Sequence, residues 1–275
     1  MRKIYFLLAI LLSLFLAVQG LASEKNVKLL TLTWEPYVGP DMPQKGLCAS
    51  IVRMAFEKAG YTVDIEFHNW DKSMEMAKNG KADGLFPTYY TEDRQEHFLY
   101  SEPIGQSPLG LVKMRPVHSF SPGGIEYDKD RKFKKELIQF KTDPRVDQTQ
   151  ALRELQQYQF GVGREYANTP EFDAADFLTK KEVSDDMENI LQLLQGDVQL
   201  IVIDKYVAKN IIAKKFPWRS GDIEFMHPPL ALKDLHLTIS KKTENAEKKL
   251  EDFNRGLKIL EEEGQIARLL RVYGF

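Results

Sequence analysis

Residues 82–94 read ADGLFPTYYTEDR, and this stretch decides how the first part of the chain is organised. The run Gly84–Phe86 is typical of a strand, and we expect the strand to break at Pro87. Thr91 can cap a short helical turn that presents Arg94. Arginine suits a carboxylate because its planar fork donates two parallel hydrogen bonds. The stretch therefore predicts a strand-end loop that carries a small-ligand site.

Strand and helix patterns alternate around this stretch. Strands are predicted at Val27–Thr33, Tyr61–Phe67 and Ala82–Phe86. Apolar residues at helical spacing predict one helix from Leu47 to Ala59 and another around Met74–Ala77. The resulting βαβαβ order implies a parallel sheet with helices on its faces.

A second unit of the same kind follows residue 150. We expect its strands at Tyr158–Val162, Leu178–Val183 and Val198–Ile203, and its helices at Thr169–Phe177, from Ser184 to Gly196, and after Asp204. The chain then closes with the predicted strand Leu235–Ile239 and the helices Asn245–Glu262 and Gln265–Tyr273. The order predicts two α/β lobes.

The segment 116–150 differs from both units. It contains turn residues and then charges at almost every position, so we expect a surface excursion with one short helix near Phe133–Phe140. Its basic cluster is open to two interpretations, a site for an acidic partner or a solvated face.

The first 22 residues have the pattern of a secretory signal peptide. Arg2 and Lys3 precede an apolar run, and small residues follow up to Ala22. The only cysteine, Cys48, lies far from that point, so no lipid anchor is indicated and no internal disulfide can form. We therefore expect an exported, periplasmic protein that is not a lipoprotein.

Composition argues against several classes of function. Without Arg2 and Lys3, the 38 basic residues become 36 against 40 acidic ones, which gives a charge near −4 and disfavours nucleic acid as a partner. The sequence has no Gly-x-Ser-x-Gly, no glycine-rich phosphate loop and no His-Glu-x-x-His. Its five histidines lack metal-ligand spacing. We expect no enzyme, no cofactor and no metal.

Several polar and aromatic residues follow predicted strands, where ligands bind in open α/β sheets. Trp34 and Trp70 are candidate ligand-contacting aromatics, although either could be a core residue. Arg94 could equally be a surface ion-pair residue, and Asp204 could be simply a helix N-cap. Together, an aromatic pair, an arginine and an aspartate on opposing lobes can sandwich a zwitterion.

The motifs, taken in order, resemble the extracellular solute-binding proteins of family 3, the amino-acid-binding receptors of ABC importers. The resemblance covers essentially the whole chain after the signal peptide. It rests on Glu35-Pro36-Tyr37, Trp70, Asn79-Gly80-Lys81-Ala82-Asp83, Thr91-Glu92-Asp93-Arg94, Tyr100-Ser101-Glu102-Pro103, Gly196-Asp197 with Asp204, and Phe253-Asn254.

This resemblance implies a type II periplasmic-binding-protein fold of two α/β lobes, each a mostly parallel sheet flanked by helices. Lobe 1 would comprise residues 23–113 plus 230–275, and lobe 2 residues 114–229. Two extended crossover strands would join the lobes, at Pro108–Met114 and around Pro228–Leu232.

The resemblance also implies a site. Arg94 would hold a ligand carboxylate, Asp204 an ammonium group, and the two tryptophans the ligand body. The full set of implied ligand-binding residues is Trp34, Trp70, Thr88, Tyr89, Arg94, Arg164, Tyr166 and Asp204. Family members usually carry small residues where this chain has residues 86–90 and 164–167, so the extra tyrosines suit a flatter, aromatic or differently charged ligand.

The resemblance implies a monomeric periplasmic protein that captures a small carboxylate-bearing solute, an amino acid or a relative, by hinge closure. An inner-membrane ABC permease would receive the solute. Two alternatives stay open at this point. One is a ligand sensor without a transporter, and the other is an enzyme similar to the cyclohexadienyl dehydratases, with Glu165 or Glu35 as the acid.

Overall fold

The computed structural model describes residues 25–115 and 138–275. The predicted signal peptide, residues 1–22, lies outside the described residues, as does most of the helix predicted near Phe133–Phe140. Within the described ranges, no helix is both long and apolar enough to cross a membrane.

Strands and helices alternate along most of the chain. The strands are β1 (Lys25–Thr31), β2 (Tyr61–Phe67), β3 (Gly84–Thr88), β4 (Phe98–Tyr100), β5 (Gly105–Met114), β6 (Gln159–Gly163), β7 (Thr179–Val183), β8 (Leu200–Asp204), β9 (Ile223–Phe225) and β10 (Ala231–Ser240). The α-helices are α1 (Leu47–Lys58), α2 (Trp70–Lys78), α3 (Glu92–Gln95), α4 (Gln148–Arg153), α5 (Pro170–Asp173), α6 (Asp186–Gln195), α7 (Lys205–Lys215), α8 (Ala246–Glu262) and α9 (Gln265–Tyr273).

The strands form two parallel groups joined by two long antiparallel strands. The order across the sheet is β2-β1-β3-β10-β5-β8-β6-β7. β1 pairs in parallel with β2 and β3, and β6 pairs in parallel with β7 and β8. β5 and β10 are ten residues long each. They pair antiparallel, with Gly105–Leu109 of β5 opposite Ala231–Leu235 of β10. This is the predicted architecture of two mostly parallel sheets and two crossover strands; the residue bounds of the lobes stay a prediction.

Helices cover the faces of the first group, and α8 packs closely against α1. A Cβ atom added at Gly256 of α8 would stand 1.9 Å from the carbonyl oxygen of Ala55 in α1. Only glycine allows that approach. The contact places α8 on the side of the sheet that carries α1. The same helix buries Phe253, Leu257 and Leu260.

Three local predictions differ from the structure. β3 continues through Pro87 to Thr88, because a register shift against β10 accommodates one extra residue in β3. The helix expected at Thr169–Phe177 is only α5, since the following chain turns to bury Ala175 and Leu178. A helix that was not predicted, α4, begins in the last three residues of the expected surface excursion and continues to Arg153.

Candidate ligand-binding site

A cavity of about 50 Å³ lies at the carboxyl ends of β1, β3 and β6. Its walls are largely apolar and aromatic, and they come from both parallel groups. The lining residues are Leu32, Trp34, Trp70, Pro87, Tyr89, Arg94, Tyr166, Ala167 and Leu235. One water needs roughly 10–15 Å³ on this measure, so the cavity has room for about three to five waters.

Arg94 is the cationic residue of this wall. Its position follows from the predicted cap, because the hydroxyl of Thr91 accepts the Arg94 backbone N–H at 3.3 Å. Nη1 donates to the carbonyl oxygen of Tyr89 at 3.2 Å and Nη2 to that of Glu165 at 2.7 Å. The guanidinium also stands 5.6 Å from the ring centroid of Trp70.

The charge of Arg94 has no carboxylate partner within 4.0 Å among the described residues. Burial lowers its pKa, although the nearby Tyr100 and Glu165 oppose that shift. A guanidinium has five N–H donors, and the two described bonds leave three of them for another acceptor. A half-buried guanidinium with free donors beside a cavity is suited to a ligand carboxylate.

The loop after β6 supplies a backbone acceptor to the opposite wall. Trp70 donates from Nε1 to the carbonyl oxygen of Glu165 at 3.1 Å, so this oxygen accepts from both Trp70 and Arg94. Glu165 has φ 60°, a left-handed conformation that is uncommon for a residue other than glycine. Its side chain is exposed, and only its carbonyl group meets the wall.

Trp34 joins the two parallel groups at another point. Its Nε1 donates to Oδ2 of Asp186, the first residue of α6, at 2.9 Å. Burial raises the pKa of Asp186 to about 7; the hydrogen bond from Trp34 opposes this, and the negative charges of Asp204 and Asp185 add to it. Asp186 is therefore a buried carboxylate in an acidic neighbourhood.

A hydroxyl chain runs behind the cavity to Asp204. Tyr89 and Ser107 share a hydrogen bond of 2.5 Å, and Ser107 donates to Oδ2 of Asp204 at 2.6 Å. The hydroxyl of Tyr37 donates to the same oxygen at 3.0 Å. Burial raises the pKa of Tyr89, Tyr37 and Asp204, although their shared hydrogen bonds partly stabilise the Asp204 carboxylate. The chain ties the first group, through Tyr37 and Tyr89, to the end of β8.

The structure brings five of the eight predicted site residues together at the cavity, namely Trp34, Trp70, Tyr89, Arg94 and Tyr166. It does not bring the other three there. Thr88 is buried, and its hydroxyl donates to Leu85 O in its own strand. Arg164 is exposed and lies 3.9 Å from Glu182. Asp204 caps α7, its Oδ1 accepting the N–H groups of Tyr206 and Val207, which is the alternative left open from the sequence.

The sequence reasoning missed four cavity residues and Asp186. Leu32, Pro87, Ala167 and Leu235 line the cavity. The sequence predicts only a strand end at Pro87, and it places Asp186 only within the helix expected from Ser184 to Gly196. Its acidic dipeptide with Asp185 was the available signal, but its partner Trp34 is 152 residues away.

The two residues considered as catalytic acids lack the environment of an acid. Glu35 is hydrogen-bonded to Lys214 and to Asn210, at 3.2 Å from the latter. These bonds and the charge of Lys214 lower its pKa despite burial, so Glu35 is ionised at neutral pH. Glu165 presents its carbonyl and not its side chain to the cavity. The contacts of Glu35 and of Glu165 therefore do not support a role as the acid of a dehydratase.

Within the described residues, no group of three or more histidine, cysteine or acidic side chains could hold a metal ion. The polar groups that side chains bring to the cavity wall are the Arg94 guanidinium, the hydroxyls of Tyr89 and Tyr166, and the indole N–H of Trp34, which is already donated to Asp186.

Comparison with known families gives one match. The model of the bacterial extracellular solute-binding proteins, family 3, matches residues 32–275. The chain belongs to this family. The assignment agrees with the resemblance carried by the sequence motifs, and the matched range includes every residue of the cavity.

Several solved structures share the fold. A mutant of ArgBP from T. maritima aligns with TM-score 0.67 at 17% identity, covering 94% of this chain and 98% of that one. An ancestral arginine-binding protein bound to arginine aligns with TM-score 0.68 at 17% identity, covering 91% and 98%.

A histidine kinase sensor domain with similarity to periplasmic binding proteins aligns with TM-score 0.70 at 17% identity, covering 91% of this chain and 96% of that one. A search of curated proteins found no match. At these identities the structural neighbours show the fold, and the neighbours are mainly binding proteins.

Proposed function

We propose that this solute-binding protein captures an amino acid in the cavity between the two strand groups, with the ligand carboxylate on Arg94. The observation that carries the proposal is the Arg94 guanidinium, which lines the cavity with three N–H donors that no described residue accepts and with no described carboxylate partner. Arginine-binding and other amino-acid-binding proteins of the same fold support this ligand class.

Binding proceeds by closure of the two lobes. Glu165 O bonds both Trp70 and Arg94 and so holds the two walls of the cavity together, and ligand enters an open form in which these bonds are broken. The ligand carboxylate then replaces or joins this carbonyl as the acceptor of the Arg94 donors. Ligand that contacts both lobes shifts the population toward the closed form.

The protein acts in the periplasm, exported by the signal peptide of residues 1–22, and presents its ligand to an inner-membrane ABC permease. Family membership supports this role. The protein acts as a binding protein and not as an enzyme, and its monomer carries the complete site.

A thermal-shift screen against the twenty proteinogenic L-amino acids tests the proposal. Mass action predicts stabilisation of roughly 2.7 kcal/mol at a ligand concentration a hundredfold above the dissociation constant. At least one amino acid is expected to raise the melting temperature, and isothermal titration calorimetry then gives its affinity. No shift with any of the twenty, each at 10 mM as a rough upper concentration, contradicts the proposed ligand class.

A further inference from the structure

Asp186 is buried at the junction of the two strand groups. It is the first residue of α6. The only described hydrogen bond to its carboxylate comes from Nε1 of Trp34, a residue that lines the cavity. Just 6% of Asp186 is exposed. No described hydrogen bond reaches the second oxygen, Oδ1, and this atom is not fully shielded from solvent.

No cation compensates the charge of Asp186. No lysine, arginine or histidine nitrogen of the described chain lies within 4.0 Å of it. The titratable groups that act on it are acidic, namely Asp185 and Asp204, and it acts in turn on the hydroxyls of Tyr89 and Tyr166. The first turn of α6 supplies partial positive charge, but one indole N–H and a helix end do not replace a counter-ion.

Asp204 is the residue that the family resemblance implies as the partner of a ligand ammonium group. The hydrogen bonding of its carboxylate differs from that of Asp186. Each of its oxygens accepts two hydrogen bonds, Oδ1 from the α7 backbone and Oδ2 from Tyr37 and Ser107. Neither Asp204 nor Asp186 is a lining residue of the cavity. The two differ in that the hydrogen-bonding capacity of Asp204 is largely used, whereas Asp186 has one described donor, which belongs to the cavity-lining Trp34.

We propose that Asp186, and not Asp204, receives the ligand's ammonium group. The inference rests on the proposed function, because it needs a zwitterion whose carboxylate is on Arg94. A buried carboxylate without a counter-ion is costly, and a cationic ligand group removes that cost when the lobes close. Trp34 both binds Asp186 and lines the cavity, so this carboxylate lies one indole ring away from the cavity wall.

Isothermal titration with paired probes tests the proposal. The probes are L-arginine, L-glutamine and L-glutamate, each with the counterpart that lacks the α-amino group (5-guanidinopentanoate, 4-carbamoylbutyrate and glutarate). The variant is Asp186→Asn, which keeps an acceptor for Trp34. Asp185→Asn is the matched control, since it removes the same charge one residue away on an exposed N-cap and Asn caps equally well.

We expect wild type and Asp185→Asn to prefer the amino acid over its deamino counterpart by the same factor. In Asp186→Asn that preference should fall roughly 10- to 150-fold, the range for a hydrogen bond to a charged group. Affinity for the deamino probes should not fall. A second measurement needs no variant: the wild-type preference should decline as the pH falls through 7, while the ligand amino group stays protonated.

The outcomes separate the two levels of the account. If a probe binds wild type and Asp186→Asn keeps the full preference, the inference is overturned while the proposed function stands. If none of the twenty amino acids of the thermal-shift screen binds wild type, the proposed function and the inference are both overturned. If wild type binds an amino acid no better than its deamino counterpart, the inference alone is overturned. Loss of the preference in Asp185→Asn to the same extent as in Asp186→Asn also overturns the inference, because a general loss of negative charge would then explain it.

Discussion

The guanidinium of Arg94 donates through Nη2 to the backbone carbonyl of Glu165 at 2.7 Å. The loop after β6 therefore holds the cationic residue of the cavity wall. Trp70 donates to the same oxygen at 3.1 Å. Two N–H donors on one carbonyl form the polar contact that closes this side of the cavity. A ligand carboxylate is a stronger acceptor than a peptide carbonyl, which explains how ligand can compete for Arg94.

Trp70→Phe should destabilise the protein. The change removes the bond to Glu165 O and leaves space at a side chain that is 6% exposed. The lost hydrogen bond contributes about 1 kcal/mol and the cavity roughly 1–3 kcal/mol more. Urea unfolding measures the difference. Trp218→Phe is the control, because Trp218 is 75% exposed and its substitution should change the free energy of unfolding by less than about 0.5 kcal/mol.

Asp186→Asn should stabilise the ligand-free protein at high pH. Burial raises the pKa of Asp186 from 3.8 to about 7 in the folded state, so the folded protein holds this proton more tightly than the unfolded chain does. The stability that the neutral acid contributes is complete below pH ~4, declines as the pH rises and is lost above pH ~7. Asparagine never ionises and avoids that loss.

The expected gain at pH 8 is at most about 4 kcal/mol, and no gain is expected near pH 3.5. Denaturant unfolding at both pH values measures it, with Asp185→Asn as the control that should show less than about 0.5 kcal/mol at either. Equal stability of Asp186→Asn and wild type at pH 8 would show that the charge of the Asp186 carboxylate is compensated in the folded protein. A variant that is more stable but binds more weakly would be typical of a functional residue.

Gly256→Ala should destabilise the packing of α8 on α1. The added Cβ would lie 1.9 Å from the Ala55 carbonyl oxygen, so one helix must shift, at a cost of roughly 1–3 kcal/mol or more. Gly221→Ala serves as the control, since a Cβ there meets nothing within 4 Å and no left-handed φ is involved. The melting temperature should fall by several degrees in the first variant only, and an unchanged value in Gly256→Ala would contradict this close approach.

Local patterns were sufficient for most of the fold. Tyr61–Phe67 was predicted with its observed bounds, and the order of strands and helices followed from hydrophobic spacing and turn residues. Pro87 misled the prediction of β3 because a proline ends an ordinary strand, whereas a strand with one extra residue accommodates it. That irregularity depends on the pairing partner β10, about 150 residues later, which local sequence does not specify.

The sequence predicted many of the residues of the candidate site, but it did not distinguish the hydrogen-bonding states of the two carboxylates beside it. Residues at strand ends, such as Trp34 and Arg94, reach the cavity because parallel strands end at one edge. Asp204 and Asp186 both lie at helix N-termini, and the sequence does not specify which of the two carboxylates accepts hydrogen bonds from the helix backbone. That distinction depends on Tyr37, Ser107 and Trp34, whose contacts with these carboxylates are all long-range.

The role of Arg94 is most directly tested by calorimetric titration of Arg94→Ala with the amino acid that most stabilises wild type. Arg94→Lys keeps the charge without the fork, and Arg164→Ala is the control because Arg164 is exposed and faces Glu182. We predict at least a roughly 100-fold loss of affinity in Arg94→Ala, a smaller loss in Arg94→Lys, and a change of less than about twofold in Arg164→Ala. Wild-type affinity in a folded Arg94→Ala would contradict the account.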